Sequence, residues 1–186
     1  MFDSLYATGP ATEKADDLML FGQFVGDWAF DVINYKPDGT KQEGTGEWHF
    51  RWVLGGHAIQ DVWMVPPPAE QKRSGKPFTG YGTTVRFLDP KNEGRWHSVW
   101  HGIGSGVLQF SAGKVGDEII LERKSEDGIG RWIFDQVKPD TFHWRAVESK
   151  DDGRTWQLQQ EFFVRRLNLL GAERTRETAG AIGGAA

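Results

Sequence analysis

The residues best placed to do chemistry lie around a glycine pair, Gly55-Gly56, with His57 and Asp61 just beyond it. Aromatic and polar residues alternate on both sides: Trp48, Phe50 and Trp52 before the pair, Ile59 and Trp63 after it. Read as a β-hairpin with a two-residue turn, the segment has a fixed register, with Leu54 opposite His57, Trp52 opposite Ile59, Phe50 opposite Asp61 and Trp48 opposite Trp63. One face then carries Trp48, Phe50, Trp52, Leu54, His57, Ile59, Asp61 and Trp63. The other carries Glu47, His49, Arg51, Ala58, Gln60, Val62 and Met64 and is largely charged, so the aromatic face is the buried one. This places His57 and Asp61 in an apolar interior. An unpaired buried carboxylate costs several kcal/mol or takes up a proton. Asp61 is therefore either a core residue satisfied by Tyr81, Thr83 or Gln160, or a carboxyl group of raised pKa able to act as general acid and base. In the second case Tyr81 is the donor to a developing oxyanion. His57 and Asp61 lie about 13 Å apart along a strand, so they form no dyad with each other.

The neighbouring hairpins extend the face. Pairing Phe87 with Trp96 puts Tyr81, Thr83, Val85 and Phe87 beside Trp96, Ser98 and Trp100, with Arg86, His97 and His101 on the opposite side. Towards the end of the chain, Trp144, Ala146 and Glu148 share a face with Trp156, Leu158, Gln160 and Phe162. Glu148 is thus a second internal carboxylate, and Gln160 a polar group suited to orienting a guest. His97 and His101 have the four-residue spacing of a metal pair, but on a strand that spacing spans about 13 Å, too far for one ion. No metal site is expected. Gly102-Ile103-Gly104-Ser105-Gly106 has no following helix and no lysine, so it reads as a strand-linking turn, not a phosphate loop. A nucleophile elbow is absent too.

The elements that must position these residues are mainly strands. Residues 11–25 read as one helix, with Asp16 and Asp17 in its first turn and Leu18, Phe21 and Val25 at helical spacing. After it the period switches to two, giving strands at 27–35, 43–54, 57–65, 80–88, 95–101, 106–112, 118–124, 130–137, 141–149 and 156–166. Short turns such as Lys36-Pro37-Asp38-Gly39 and Asp151-Asp152-Gly153 join most of them. The expected fold is all-β: a roughly ten-stranded antiparallel up-and-down β-barrel with one N-terminal capping helix, since closure removes exposed edges. Its expected parts are an N-terminal segment and helix over 1–26, the barrel over 27–166 and a C-terminal tail over 167–186. Residues 66–79 form the one long connection, a lid or a plain excursion.

Gly26-Asp27-Trp28, on the first strand after a helix, resembles the Gly-x-Trp signature of lipocalins and related calycins. The strings GEWHFRWVLGGHAIQDVW, GYGTTVRFLDP and FHWRAVESKDDGRTW resemble an uncharacterised bacterial family of small lipocalin-like barrel proteins, over about residues 20–166. The resemblance implies an arginine on the last strand, Arg165 or Arg166, packed over Trp28. It also implies a helix closing one end and a ligand held at the other, with Trp48, Trp63, Tyr81, Trp100, Glu148 and Trp156 near the mouth, Asp61 at mid-depth and His57 near the floor. Some barrels of this type bind haem through one histidine, a part that falls to His57; otherwise no cofactor is implied.

Composition narrows the field. The chain has 186 residues, a net charge of −4, no cysteine, 9 Trp and 24 Gly, which suits one aromatic-rich β domain without disulfides or thiol chemistry. No basic stripe interleaves with the aromatics, which argues against nucleic acid and anionic membranes as partners. The opening MFDSLYATGP lacks the pattern of a signal peptide, and no apolar run is long enough to span a bilayer, so the expected location is the cytoplasm. The expected function is binding of a small apolar or aromatic molecule in a Trp-lined cavity, with Trp48, Phe50, His57, Trp63, Trp100, Trp144, Glu148 and Gln160 around it. The alternatives are a cofactor-free isomerase, hydratase or lyase using Asp61 and Tyr81, a haem barrel using His57, and a packed barrel that forms a homodimer through its outer face.

Overall fold

Alternation of apolar and polar residues, broken by glycine-bearing turns, produces ten antiparallel strands that close on themselves. The computed structural model describes residues 5–91 and 93–167. The tail expected beyond residue 167 lies outside them. The strands are β1 (Gly26–Tyr35), β2 (Lys41–Val53), β3 (Ala58–Val65), β4 (Gly80–Leu88), β5 (Trp96–Gly102), β6 (Val107–Val115), β7 (Glu118–Ser125), β8 (Gly128–Asp135), β9 (Thr141–Ser149) and β10 (Gln157–Arg166). Each pairs with its sequence neighbours, and β1 pairs with β10 to complete the barrel. Helix α1 (Ala15–Gly22), entered through a 3-10 turn at Thr12–Lys14, closes one end. A second helix, α2 (Pro68–Ser74), occupies the long connection, where the sequence indicated only a loop.

The helix seals its end by burying rings. Leu18, Phe21 and Phe24 are at most 1% exposed, and Phe21 meets Trp96 edge-on at 4.9 Å while Phe24 packs on Phe142 at 4.8 Å. Arg166 locks the seal: its guanidinium lies 4.0 Å over the Trp28 ring and donates to the carbonyls of Pro139, Val25 and Gln23. The Trp28 indole donates to the Phe24 carbonyl at 2.7 Å. A side chain at Gly26 would displace that guanidinium, which is why glycine precedes the tryptophan by two. Of the two arginines offered for this part, Arg166 fills it, and Arg165 instead reaches Asp31 on the outer wall at 2.8 Å.

The β2–β3 register is the expected one, with Trp48 opposite Trp63, Phe50 opposite Asp61 and Trp52 opposite Ile59. The turn is not. The ladder ends at Val53 and Ala58, and Leu54–Gly56 form a 3-10 turn in which Leu54 has φ 52 and is 67% exposed. Two residues more than expected in the loop preserve strand parity but carry His57 out of the barrel. There its Nδ1–H donates to Leu54 O (2.9 Å), and its Nε2 pairs with Glu13 at 2.9 Å. His57 as an interior floor residue is therefore corrected to an exposed clasp between the turn and the N-terminal segment.

The β4–β5 register differs by one residue. Asp89 N–H donates to Arg95 O, so Leu88, not Phe87, faces Trp96, and Arg86 faces Ser98. A one-residue slip exchanges the faces. Gly82, Thr84, Arg86 and Leu88 point inward, and Tyr81, Thr83, Val85 and Phe87 point outward. Tyr81 packs on Phe78 at 4.9 Å on the outside. Its expected place in the lumen is corrected accordingly. On β10 a bulge between Leu158 and Gln160 changes the parity beyond Gln160. Trp156 thereby lies on the outer wall under Arg131, at 4.3 Å.

The clasp at the closed end yields a pH prediction. The Glu13 hydrogen bond, then the Leu54 carbonyl, raise the His57 pKa above 6.5. A raised folded value means that the clasp contributes stability below the unfolded pKa of about 6.5 and loses it as pH rises through the folded value. An NMR titration of the His57 ring protons should give a midpoint above 6.5 that Glu13→Gln lowers towards 6.5. An unchanged midpoint in that variant would contradict the pairing.

Candidate functional site

Strand parity sends ten rows of side chains into the lumen, and the lower rows pack solidly. Phe30 stacks on Phe162 at 4.3 Å, Trp48 lies 4.9 Å from Phe50 and 5.7 Å from Phe134, and Trp144 lies 4.6 Å from Phe162. Among these rings sits one ion pair. Asp61 on β3 and Arg86 on β4 are 0% exposed and hydrogen-bonded to each other. The guanidinium is walled by the rings of Phe21, Phe50 and Phe134 at 5.2–5.7 Å. Asp61 Oδ1, Arg86 Nε and the neighbouring Ser98 Oγ have no hydrogen-bond partner among the described residues.

Asp61 is thus inside, as parity requires, but its partner is an arginine that the sequence reading had placed outside. A general base needs access to substrate and a proton to take. Asp61 is sealed and held by a permanent cation, and Tyr81 lies on the other side of the wall. The two do not form a catalytic pair.

The upper rows are less deeply buried. Trp63, Trp100 and Trp132 face inward and are only half-buried, above a floor of Trp48, Trp144, Phe110 and Phe162. Glycine makes room for these indoles. A Cβ at Gly80 would lie 2.6 Å from the Trp63 ring, one at Gly82 2.7 Å from Trp100 Nε1, and one at Gly102 2.6 Å from the Trp100 ring. The rings form a chain across the lumen: Trp100 to Trp132 at 5.8 Å, Trp132 to Trp144 at 5.6 Å, Trp144 to Trp48 at 6.1 Å. The indole N–H groups of Trp48, Trp100 and Trp144 are buried and have no acceptor among the described residues. An unmet buried donor costs about 1–3 kcal/mol, so all three are poised for an acceptor.

Polar groups ring this level. Gln160 Nε2 donates to Asn34 Oδ1 at 2.6 Å, and Arg123 on β7 approaches Glu148 on β9 to 3.6 Å. Of the residues expected to hold a ligand, Trp48, Phe50, Trp63, Trp100, Trp144, Glu148 and Gln160 share the lumen, whereas His57 does not. Sequence reading missed Asn34, Arg123 and Trp132. Trp132 had a signal in its alternation with Phe134, but the register between β8 and β9 could not be fixed across the Lys138–Asp140 turn.

The histidines all lie outside the lumen. His49 contacts Asp27 at 2.6 Å, His97 contacts Asp89 at 3.2 Å, His143 bridges Asp135 and Glu161 on the outer wall, and His101 is exposed. Haem held from inside through a histidine therefore does not fit these residues. No cluster of three or more His, Asp or Glu side chains suited to a metal occurs among the described residues. No described helix is long and apolar enough to cross a membrane.

The closed meander, the helix at one end and the Arg166–Trp28 stack define a lipocalin-like barrel. In fold the chain is similar to Rv2717c from M. tuberculosis, with 14% identity and a TM-score of 0.60 over 83% of this chain and 99% of that one. It is similar also to the S-type phycobiliprotein lyase CPES from Guillardia theta, with 12% identity and a TM-score of 0.58 over 86% of this chain and 99% of that one. The sequence matches no protein-family model and no curated protein.

The ion pair can be tested apart from any ligand. Removing one partner of a buried pair leaves the other charge uncompensated and costs about 3–5 kcal/mol, whereas replacing both by apolar residues is close to neutral. Asp61→Leu and Arg86→Met should each lower the urea midpoint strongly, and the double variant should recover most of the loss. Additive losses in the double variant would contradict this account.

Proposed function

We propose that the barrel is a binding protein for a small, flat apolar or aromatic molecule, seated at the open end between Trp63, Trp100 and Trp132. The observation that carries this reading is the layer of half-buried indoles over a packed aromatic floor, with three buried indole N–H groups lacking acceptors. Covering about 200 Å² of ring surface is worth on the order of 5 kcal/mol before the costs of association. A carbonyl or ring nitrogen on the guest meets the indole donors, and the amides of Asn34 and Gln160 add orientation. Catalysis by Asp61 and Tyr81 has no comparable support, because the two side chains lie on opposite sides of the wall. A barrel of this architecture serves a lyase in one fold neighbour, but fold alone carries no activity across.

The neutral dye N-phenyl-1-naphthylamine is a suitable probe. It should quench the tryptophan emission saturably and gain fluorescence of its own. Trp63→Ala and Trp100→Ala should each weaken binding about tenfold, while Trp156→Phe on the outer wall leaves it unchanged. Absence of saturable quenching in the native protein would remove the proposal.

A further inference from the structure

One seam of the barrel wall is incomplete. The β6–β7 ladder runs from Val115 and Glu118 only to Ser111 and Glu122, and from there to the mouth the two strands exchange no pairs. Each keeps its other neighbour: β6 pairs with β5 as far as Val107, and β7 with β8 as far as Ser125. The wall therefore carries a notch about 13 Å deep, the rise of four residues. A groove of about 880 Å³ runs along this seam. It is lined by outward-facing residues such as Gln109 and Lys124, and also by Phe110 and Arg123, whose parity turns them inward.

Arg123 differs from the other arginines inside or against the barrel. Arg86, Arg131, Arg145 and Arg166 are all hydrogen-bonded. Arg123 makes no hydrogen bond among the described residues, and its nearest acid is Glu148 at 3.6 Å. Its side chain lies over Gly130, where a Cβ would stand 3.0 Å from Nε, so glycine at 130 spares the guanidinium a tight contact. Behind it lie Phe110 and Trp132, 4.4 Å apart, and the unpartnered Trp100 indole. Lys124, 72% exposed, stands on the lip.

We infer that Arg123 is an anion-binding residue, and that the ligand of the mouth pocket is an apolar or aromatic molecule bearing a carboxylate or equivalent monoanion, placed at the β6–β7 notch. Its ring lies on Trp100 and Trp132, and its acid takes the fork of guanidinium donors that Glu148 engages only loosely. Glu148 is the internal counter-ion that the ligand's acid replaces. This inference rests on the mouth-pocket reading and adds the ligand class to it.

Two dyes with one skeleton separate the two ideas: neutral N-phenyl-1-naphthylamine and 1-anilinonaphthalene-8-sulfonate, its anionic relative. The native protein should bind the anion more tightly. Arg123→Gln should weaken the anion about tenfold or more and shift the neutral dye less than about twofold. Glu148→Gln should tighten the anion several-fold with the neutral dye unchanged, a gain that loss of a merely structural ion pair does not produce. Lys124→Glu should weaken the anion more than Lys14→Glu at the closed end does. Circular dichroism checks folding, and if Arg123→Gln does not fold, Glu148→Gln decides alone. Equal shifts for both dyes, or none for either, overturn the anion assignment and leave the pocket standing. Failure of both dyes to bind the native protein overturns the pocket and this inference with it.

Discussion

Two opposite charges sealed inside the barrel, Asp61 and Arg86, set the terms for what surrounds them. They come from adjacent strands, and their contact depends on the parity of both. Slide β4 by one residue and Arg86 goes to solvent, Tyr81 and Phe87 turn inward, and Asp61 is left as an unpaired carboxylate among phenylalanines. That alternative looks better on hydrophobicity alone, because the face Tyr81, Val85, Phe87 is more apolar than Gly82, Thr84, Arg86. The uncompensated charge rules it out, at a cost of several kcal/mol. The pair thus acts less as a source of stability than as a register pin: it makes one of two plausible sheets far worse than the other.

Above the pin, the shape of the lumen follows from glycine and tryptophan sharing inward positions. Gly80, Gly82 and Gly102 leave room beside their neighbours, and the rings of Trp63 and Trp100 occupy it. The same complementarity recurs where Gly46 accommodates Phe30 and Gly130 accommodates Arg123. Below this level phenylalanine rings and the helix fill the lumen; above it the indoles of Trp63, Trp100 and Trp132 are only partly buried. The boundary between fully buried and partly buried rings lies inside the barrel, at the layer of Trp48 and Trp144. Both halves use the same residue types, and only the number of neighbours differs.

Much of this was legible in the sequence. All ten strands follow from period-two alternation and turn residues, and the β2–β3 register follows from the aromatic stripe even though the Leu54–Gly56 turn is longer than a two-residue hairpin. Adding residues to a loop in pairs keeps parity, so Trp48, Phe50, Trp63 and Asp61 were placed correctly while His57 was not. The β4–β5 loop shows the opposite case. A one-residue error in where the loop closes, at Asp89 and Arg95, moved every side chain of β4 to the wrong face. Arg86 was invisible as an interior residue because an arginine facing inward is a poor guess until its carboxylate partner is in the same frame. Arg123 was missed for a related reason: it lies over Gly130 on the facing strand, a contact between strands that no single stretch of sequence reveals.

The two inward arginines show how depth decides role. Arg86 lies where rings exclude water, so its charge must be neutralised within the protein, and any group that took Asp61 from it would have to enter a sealed aromatic box. Arg123 lies at the edge of an unfinished seam, 27% exposed in its side chain, where water screens it and its link to Glu148 is correspondingly weak. A strongly held ion pair cannot be exchanged for a ligand without a large loss, whereas a loose one can. One barrel therefore holds the same guanidinium–carboxylate chemistry at two depths: deep down the pair is sealed and hydrogen-bonded, and at the rim it is partly exposed and 3.6 Å apart.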